Sequence, residues 1–279
     1  MKLNYKRTFL IGLAFLSISA FWQMYDNIVP LILQGTFHLN ETVTGTIMAA
    51  DNVLAVFLLP LLGTLSDKAD TKLGKRTPFI VAGTALSVVL MMLLPIADRT
   101  ENFILFVGGL FFLLIAMGLY RSPAVALMPD LTPKPLRSQA NAVINLMGAV
   151  GGIYTLGLIS LLLKGGEKPD YTPVFIGVAG LMVISVVLLV LTIREKKLSA
   201  EVALENLEEE PEEEVKADRT GVLAPEVRRS LRMILISIFL WFMAYNAVTT
   251  AFSRYARTVW GMEGGGFANC LMVATIAAI

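Results

Sequence analysis

Histidine and cysteine are nearly missing from this sequence. His38 and Cys270 are the single examples of each in 279 residues. One cysteine excludes an intramolecular disulfide. No metal-ligand spacing, phosphate-cradling loop or catalytic triad is present, so the expectation is a protein that is not an enzyme and holds no metal and no cofactor. His38, alone in a loop, reads as incidental rather than as a proton relay. Charge is scarce as well. Asp, Glu, Lys and Arg make up 16% of the chain, against about 25% in a soluble domain. The deficit is local, because charges crowd between long runs that have almost none. A net charge of +1 gives no reason to expect a nucleic-acid partner.

What fills the uncharged runs is apolar. A helix needs roughly 20 mostly apolar residues to cross a bilayer. Seven segments qualify: Thr8–Leu33, Val43–Leu65, Pro78–Ala97, Phe103–Met128, Ala140–Leu163, Pro173–Ile193 and Met233–Phe252. An eighth starts near Gly264 and is still apolar at Ile279, which reads as an incomplete chain. The first run exceeds the apolar core of about 7–15 residues found in signal peptides and lacks a cleavage site, so it reads as a retained span. The fold class is therefore an all-α membrane protein in a lipid bilayer.

Lys and Arg set the expected orientation. With the N-terminus inside, 17 of them fall in cytoplasmic segments and five outside. Lys72 and Glu210 are then cytoplasmic and Glu167 external. The chain divides into a six-helix half over 1–193, a charged linker over 194–232 and the start of a second half over 233–279. The acidic run Glu208–Glu214, broken by Pro211, is too self-repelling to pack. A faint repeat with an offset of 219 supports two halves. It matches Trp22 with Trp241, Met24 with Met243, Asn27 with Asn246 and Val29 with Val248.

Two loops carry motifs. The one after the second span contains Gly63, Asp67, Gly74, Lys75, Arg76 and Pro78, with six residues between Asp67 and Gly74. The one after the fourth span contains Pro123, Pro129, Asp130 and Arg137. A plain positive-inside loop explains the basic residues, and it leaves the Gly, Asp and Pro positions unexplained. The first loop resembles the signature loop of the major facilitator superfamily. Its extra length resembles the glycoside–pentoside–hexuronide cation symporters and sucrose-transporter-like proteins within it. The resemblance implies twelve helices in two six-helix halves, of which about eight are present here, with the substrate site between the halves. It also implies that Asp67 pairs with basic residues at a cytoplasmic gate.

Ionisable residues inside spans are costly and normally face protein or water. Asp26, Asp51 and Arg121 are such residues. They are candidates for proton coupling and substrate contact, against the plainer reading of a static charge pair that fixes packing. The depth of each residue in its helix favours Asp26 over Asp51 as the partner of Arg121. Trp22, Tyr25, Tyr120, Trp241 and Tyr245 offer faces for a sugar ring, or are packing and interfacial aromatics. Gln23, Asn27, Asn52, Asn141, Asn145 and Asn246 offer amides for hydroxyl groups. Asn141 and Asn145 share one helix face. Gly148, Gly151 and Gly152 allow close helix contact.

One departure limits the resemblance. Sodium-coupled melibiose permeases carry two acidic residues near the inner end of span two, where this chain has Ala55 and Leu59. They also carry an acidic sugar ligand in span four, where Arg121 stands here. Protons are then the expected coupling cation. The resulting expectation is a secondary transporter in the plasma membrane that symports a sugar-like small molecule. The rivals are an exporter of drugs or organic anions on the same fold, and a truncated membrane protein that transports nothing.

Overall fold

A chain in hydrocarbon must satisfy every backbone polar group internally, and the helix does this within one segment. The computed structural model describes residues 3–166, 169–208 and 225–278. Its described residues form α1 (Tyr5–Gly35), α2 (Glu41–Met48), α3 (Ala50–Asp67), α4 (Thr77–Arg99) and α5 (Phe103–Asp130). A 3-10 turn, Lys134–Leu136, leads into α6 (Arg137–Leu162). Then come α7 (Thr172–Thr192), α8 (Glu195–Glu208), α9 (Pro225–Trp260) and α10 (Gly266–Ala277).

Seven spans are long and apolar enough to cross a membrane, with α2 and α3 together forming one of them. The sequence anticipated all seven within a few residues at most ends. It did not anticipate the break in the second span at Ala49. The eighth apolar run forms only the 12 residues of α10. Glu167, Glu210 and the run Glu209–Glu214 lie outside the described residues.

Helix ends follow local chemistry. The side chains of Asn4, Asn40 and Asn102 accept hydrogen bonds from the amides of Arg7, Val43 and Leu105 at 3.1, 2.9 and 3.0 Å, which caps α1, α2 and α5. Pro78 and Pro173 sit in the first turns of α4 and α7, where the missing N–H costs nothing.

The core centres on α1, which packs against α6, α7 and α5, while α4 packs on α5 and α7. Small residues bring α1 and α6 together. A Cβ on Gly151 would lie 2.0 Å from the Leu16 carbonyl oxygen, so only glycine fits at that crossing. α3 leans on α5, and its outward residues Val53, Val56 and Phe57 are exposed, as lipid-facing residues are.

The helices after the linker meet this six-helix bundle at one end only. In α9 the buried residues are Ser253 and Ala256, and α10 packs on α6. The amide of Gly265 donates to the Leu163 carbonyl at 2.9 Å. The rest of α9, from Pro225 to Val248, stands exposed. The contact is therefore at the end of the bundle opposite the α3–α4 loop.

Candidate functional site

Two clusters of polar residues interrupt the apolar helices. The first lies within the spans. Its frame is α1, which sets Trp22 and Asp26 one turn apart, with α3 supplying Asp51 and α5 supplying Arg121. The Arg121 guanidinium carbon sits 5.4 Å from the Trp22 ring centroid, within cation–π range. Arg121 and Asp51 share the lining of one cleft that Asp26 does not line, where depth along the helices favoured Asp26. The Asn52 side-chain amide donates to the Asp51 carboxylate at 2.8 Å.

Trp22, Asp51 and Arg121 line one cleft whose remaining walls are leucine, alanine and glycine from α3 and α5. Its volume is about 20 Å³, which admits a water molecule and excludes a sugar. The cleft therefore sets a carboxylate and a guanidinium around a space of water size.

Other expected site residues are placed differently. Tyr25 and Tyr120 are fully buried. The Tyr25 hydroxyl donates to the Met48 carbonyl at 3.3 Å and ties α1 to α2. The Tyr120 hydroxyl donates to the Ala14 carbonyl at 3.0 Å and pairs with the Ser17 hydroxyl, which ties α5 to α1. Both hydroxyls are used up in packing. Asn27 is buried, and its side-chain amide donates to the Gln23 carbonyl at 2.8 Å. Its oxygen has no hydrogen-bond partner among the described residues, nor has the Trp22 indole nitrogen. Gln23 is half-buried, and Asn141 and Asn145 are exposed along one face of α6. Trp241, Tyr245 and Asn246 lie on the exposed stretch of α9 and are not brought to the cluster. Asn246 repeats the local geometry of its counterpart Asn27, donating to the Phe242 carbonyl at 2.9 Å.

The second cluster joins the two motif loops. Arg76 is 6% exposed and is the hub. It forms an ion pair with Asp67, its Nε donates to Asp130 at 2.9 Å, and its Nη1 bonds the Ser66 hydroxyl and, at 3.4 Å, the Gly63 carbonyl. A planar guanidinium serves two carboxylates at once, which an ammonium cannot do in this geometry. Arg137 donates to the Pro129 and Thr132 carbonyls at 2.9 and 3.3 Å and closes the end of α5. The Lys75 side chain is exposed.

A residue that the sequence left inside the linker completes this cluster. Glu195, only 3% exposed, accepts hydrogen bonds from the amides of Lys75, Arg76 and Thr77 at 2.7, 2.9 and 2.8 Å and from the Thr77 hydroxyl at 2.7 Å. A carboxylate at the start of α4 is favoured by the free amides and the helix dipole there. Gly74 makes the approach possible. Its φ is +120°, and a Cβ on it would fall 2.3 Å from the Glu195 carboxyl carbon. No local signal marks Glu195, since Arg194-Glu195-Lys196-Lys197 reads as the polar edge of a linker.

Over 113 residues the chain is 34% identical to the sucrose transport protein SUC4 of Arabidopsis thaliana, covering 35% of this chain and 22% of the relative. Over 151 residues it is 26% identical to SUC3 of the same plant, covering 47% and 25%, and 26% identical to the sucrose transport protein SUT4 of Oryza sativa subsp. indica with the same coverage. The matched segments thus span about a quarter of these curated relatives. A sequence profile of the Major Facilitator Superfamily matches residues 11–279. The chain belongs to the major facilitator superfamily of membrane transporters.

Proposed function

We propose that this chain forms part of a proton-coupled sugar symporter that works by alternating access. The observation that carries the reading is that Asp51 and Arg121 line one intramembrane cleft of single-water size with Trp22, while Asp26 stands one helical turn from Trp22 on α1. Each of these charges would cost about 2.5–3.5 kcal/mol facing lipid even on the lenient insertion scale, so their retention calls for a use. A carboxylate beside a guanidinium can take up or release a proton as the distance between them changes. The resemblance to sucrose transport proteins supports a sugar as the substrate. Gln23, Asn141 and Asn145 are the amides assigned to it, with Trp241, Tyr245 and Asn246 joining from the other half when the halves close.

The same reading places the N-terminus in the cytoplasm, the membrane as the plasma membrane, and the halves at 1–193 and 233–279 with 194–232 as the tether. Asp67, Arg76 and Asp130 then form the cytoplasmic gate. Contact of α9 with the bundle only at the opposite end fits a state open toward that gate. Arg121 also favours a second reading, export of organic anions, because a guanidinium over an aromatic ring can take an anionic substrate.

Uptake assays in vesicles test both readings. Asp51→Asn is expected to preserve exchange of labelled sugar between the two sides and to abolish accumulation against a gradient. Asp26→Asn is expected to do the same if it shares the proton. Wild-type accumulation by both variants would refute the coupling role. Uptake of organic anions but no sugar would favour the second reading.

A further inference from the structure

At the rim of the bundle, where α4 begins and α7 ends, lies a groove of about 410 Å³ that the transport reading does not use. Lys72, Arg194, Lys196 and Lys197 line it. Lys196 pairs with Asp70 at 3.0 Å and Lys197 with Glu201 at 3.9 Å, all with well-exposed side chains, and such pairs are weak. Lys72 and Arg194 have no side-chain ion pair or hydrogen bond among the described residues. The one carboxylate in the groove, Glu195, is already occupied by the amides of the α3–α4 loop.

The floor of the groove is apolar, made by Leu73 and Val190. Leu73 and the adjacent Leu191 are 55% and 76% exposed. Thr77 opens the α4 span and Thr192 closes α7, so the groove sits at the boundary between hydrocarbon and water. A small soluble anion would have use for the cations and none for the leucines. A phospholipid has use for both, because its phosphate meets the cations while its upper acyl chain covers the apolar floor.

We infer that this groove binds the headgroup of an anionic phospholipid, with Lys72 and Arg194 as the gripping cations. The lipid would bridge the α3–α4 loop to the α7–α8 junction, beside the contact that Glu195 makes between the same two segments. The inference rests on the chain's place in a membrane and is independent of the sugar-symport reading. Basic pockets at helix ends are a known way of holding such lipids, at about 1 kcal/mol, or roughly five-fold, per cation.

The test uses the full chain in phosphatidylcholine vesicles containing a minor share of photoactivatable phosphatidylglycerol. Cross-links are mapped by mass spectrometry, with photoactivatable phosphatidylcholine as the comparison probe. Phosphatidylglycerol is expected to label residues 72–77 and 190–197 in preference to phosphatidylcholine. Lys72→Ala/Arg194→Ala should lower that preference by roughly twenty- to thirty-fold. The swap Lys72→Arg/Arg194→Lys should retain it and guard against misfolding. Lys68→Ala, on the same face but outside the groove, should leave it unchanged. Equal labelling by the two lipids would overturn the inference, as would a double-alanine variant with an unaltered preference. Loss of labelling on adding inorganic phosphate at constant ionic strength would identify a free-anion site and would overturn it too.

Discussion

Replacing Glu195 by alanine removes an acceptor shared by three backbone amides and one hydroxyl. Hydrogen bonds to a charged group contribute about 1.5–3 kcal/mol each, and a buried donor left without a partner costs about 1–3 kcal/mol. The four donors do not all remain dry, because the Lys75 side chain is exposed and water can reach its amide. Arg76 and Thr77 are buried, so their two amides carry the penalty, while the third donor there, the Thr77 hydroxyl, can rotate to another acceptor. The loop should therefore loosen by about 3–5 kcal/mol, in line with the cost of breaking one side of a buried charged contact. Glu195→Gln keeps an acceptor oxygen but points an amide at donors, and about half that loss is expected. Hydrogen exchange read by mass spectrometry on the purified protein gives the answer locally. The amides of Arg76 and Thr77 should exchange at least a hundred-fold faster in Glu195→Ala, since each 1.4 kcal/mol is worth about ten-fold in the opening equilibrium. Exchange in the middle of α5 should not change. Unaltered protection at Arg76 and Thr77 would refute the view that Glu195 holds the α3–α4 loop.

Gly151→Ala would force α1 and α6 apart at the Leu16 carbonyl, and a thermal-unfolding midpoint lowered by the equivalent of about 1–3 kcal/mol is expected. Tyr120→Phe removes the bonds to Ala14 and Ser17 inside the core; it should cost about 1 kcal/mol of stability and leave substrate affinity unchanged in a binding assay. On a background with Cys270→Ser, Lys72→Cys should resist an impermeant thiol reagent added outside intact cells, whereas His38→Cys should react. Labelling of position 72 from outside would reverse the proposed orientation.

The membrane class was legible in the sequence because it depends on sums along short windows. Twenty apolar residues cross a bilayer whatever lies elsewhere in the chain, so the seven spans follow from the sequence alone. The two loops that hold Arg76, Asp67 and Asp130 were legible too, since glycines and prolines at fixed spacing mark them. Three-dimensional pairings are not carried by such windows. Tyr25 and Tyr120 look the same in sequence whether they face a cavity or a carbonyl, and packing of α1 against α2 and α5 decided for the carbonyl. Arg121 could reach toward either carboxylate by depth alone. The direction in which each helix turns its face, a property of how α1, α3 and α5 pack, set it in one cleft with Asp51. Glu195 is the clearest case. It is separated from Arg76 by 119 positions and sits in a segment of mixed charge. Only the closure of α7 beside α4 brings a carboxylate to the open amides of the α3–α4 loop, and that closure is a tertiary event that no local pattern encodes.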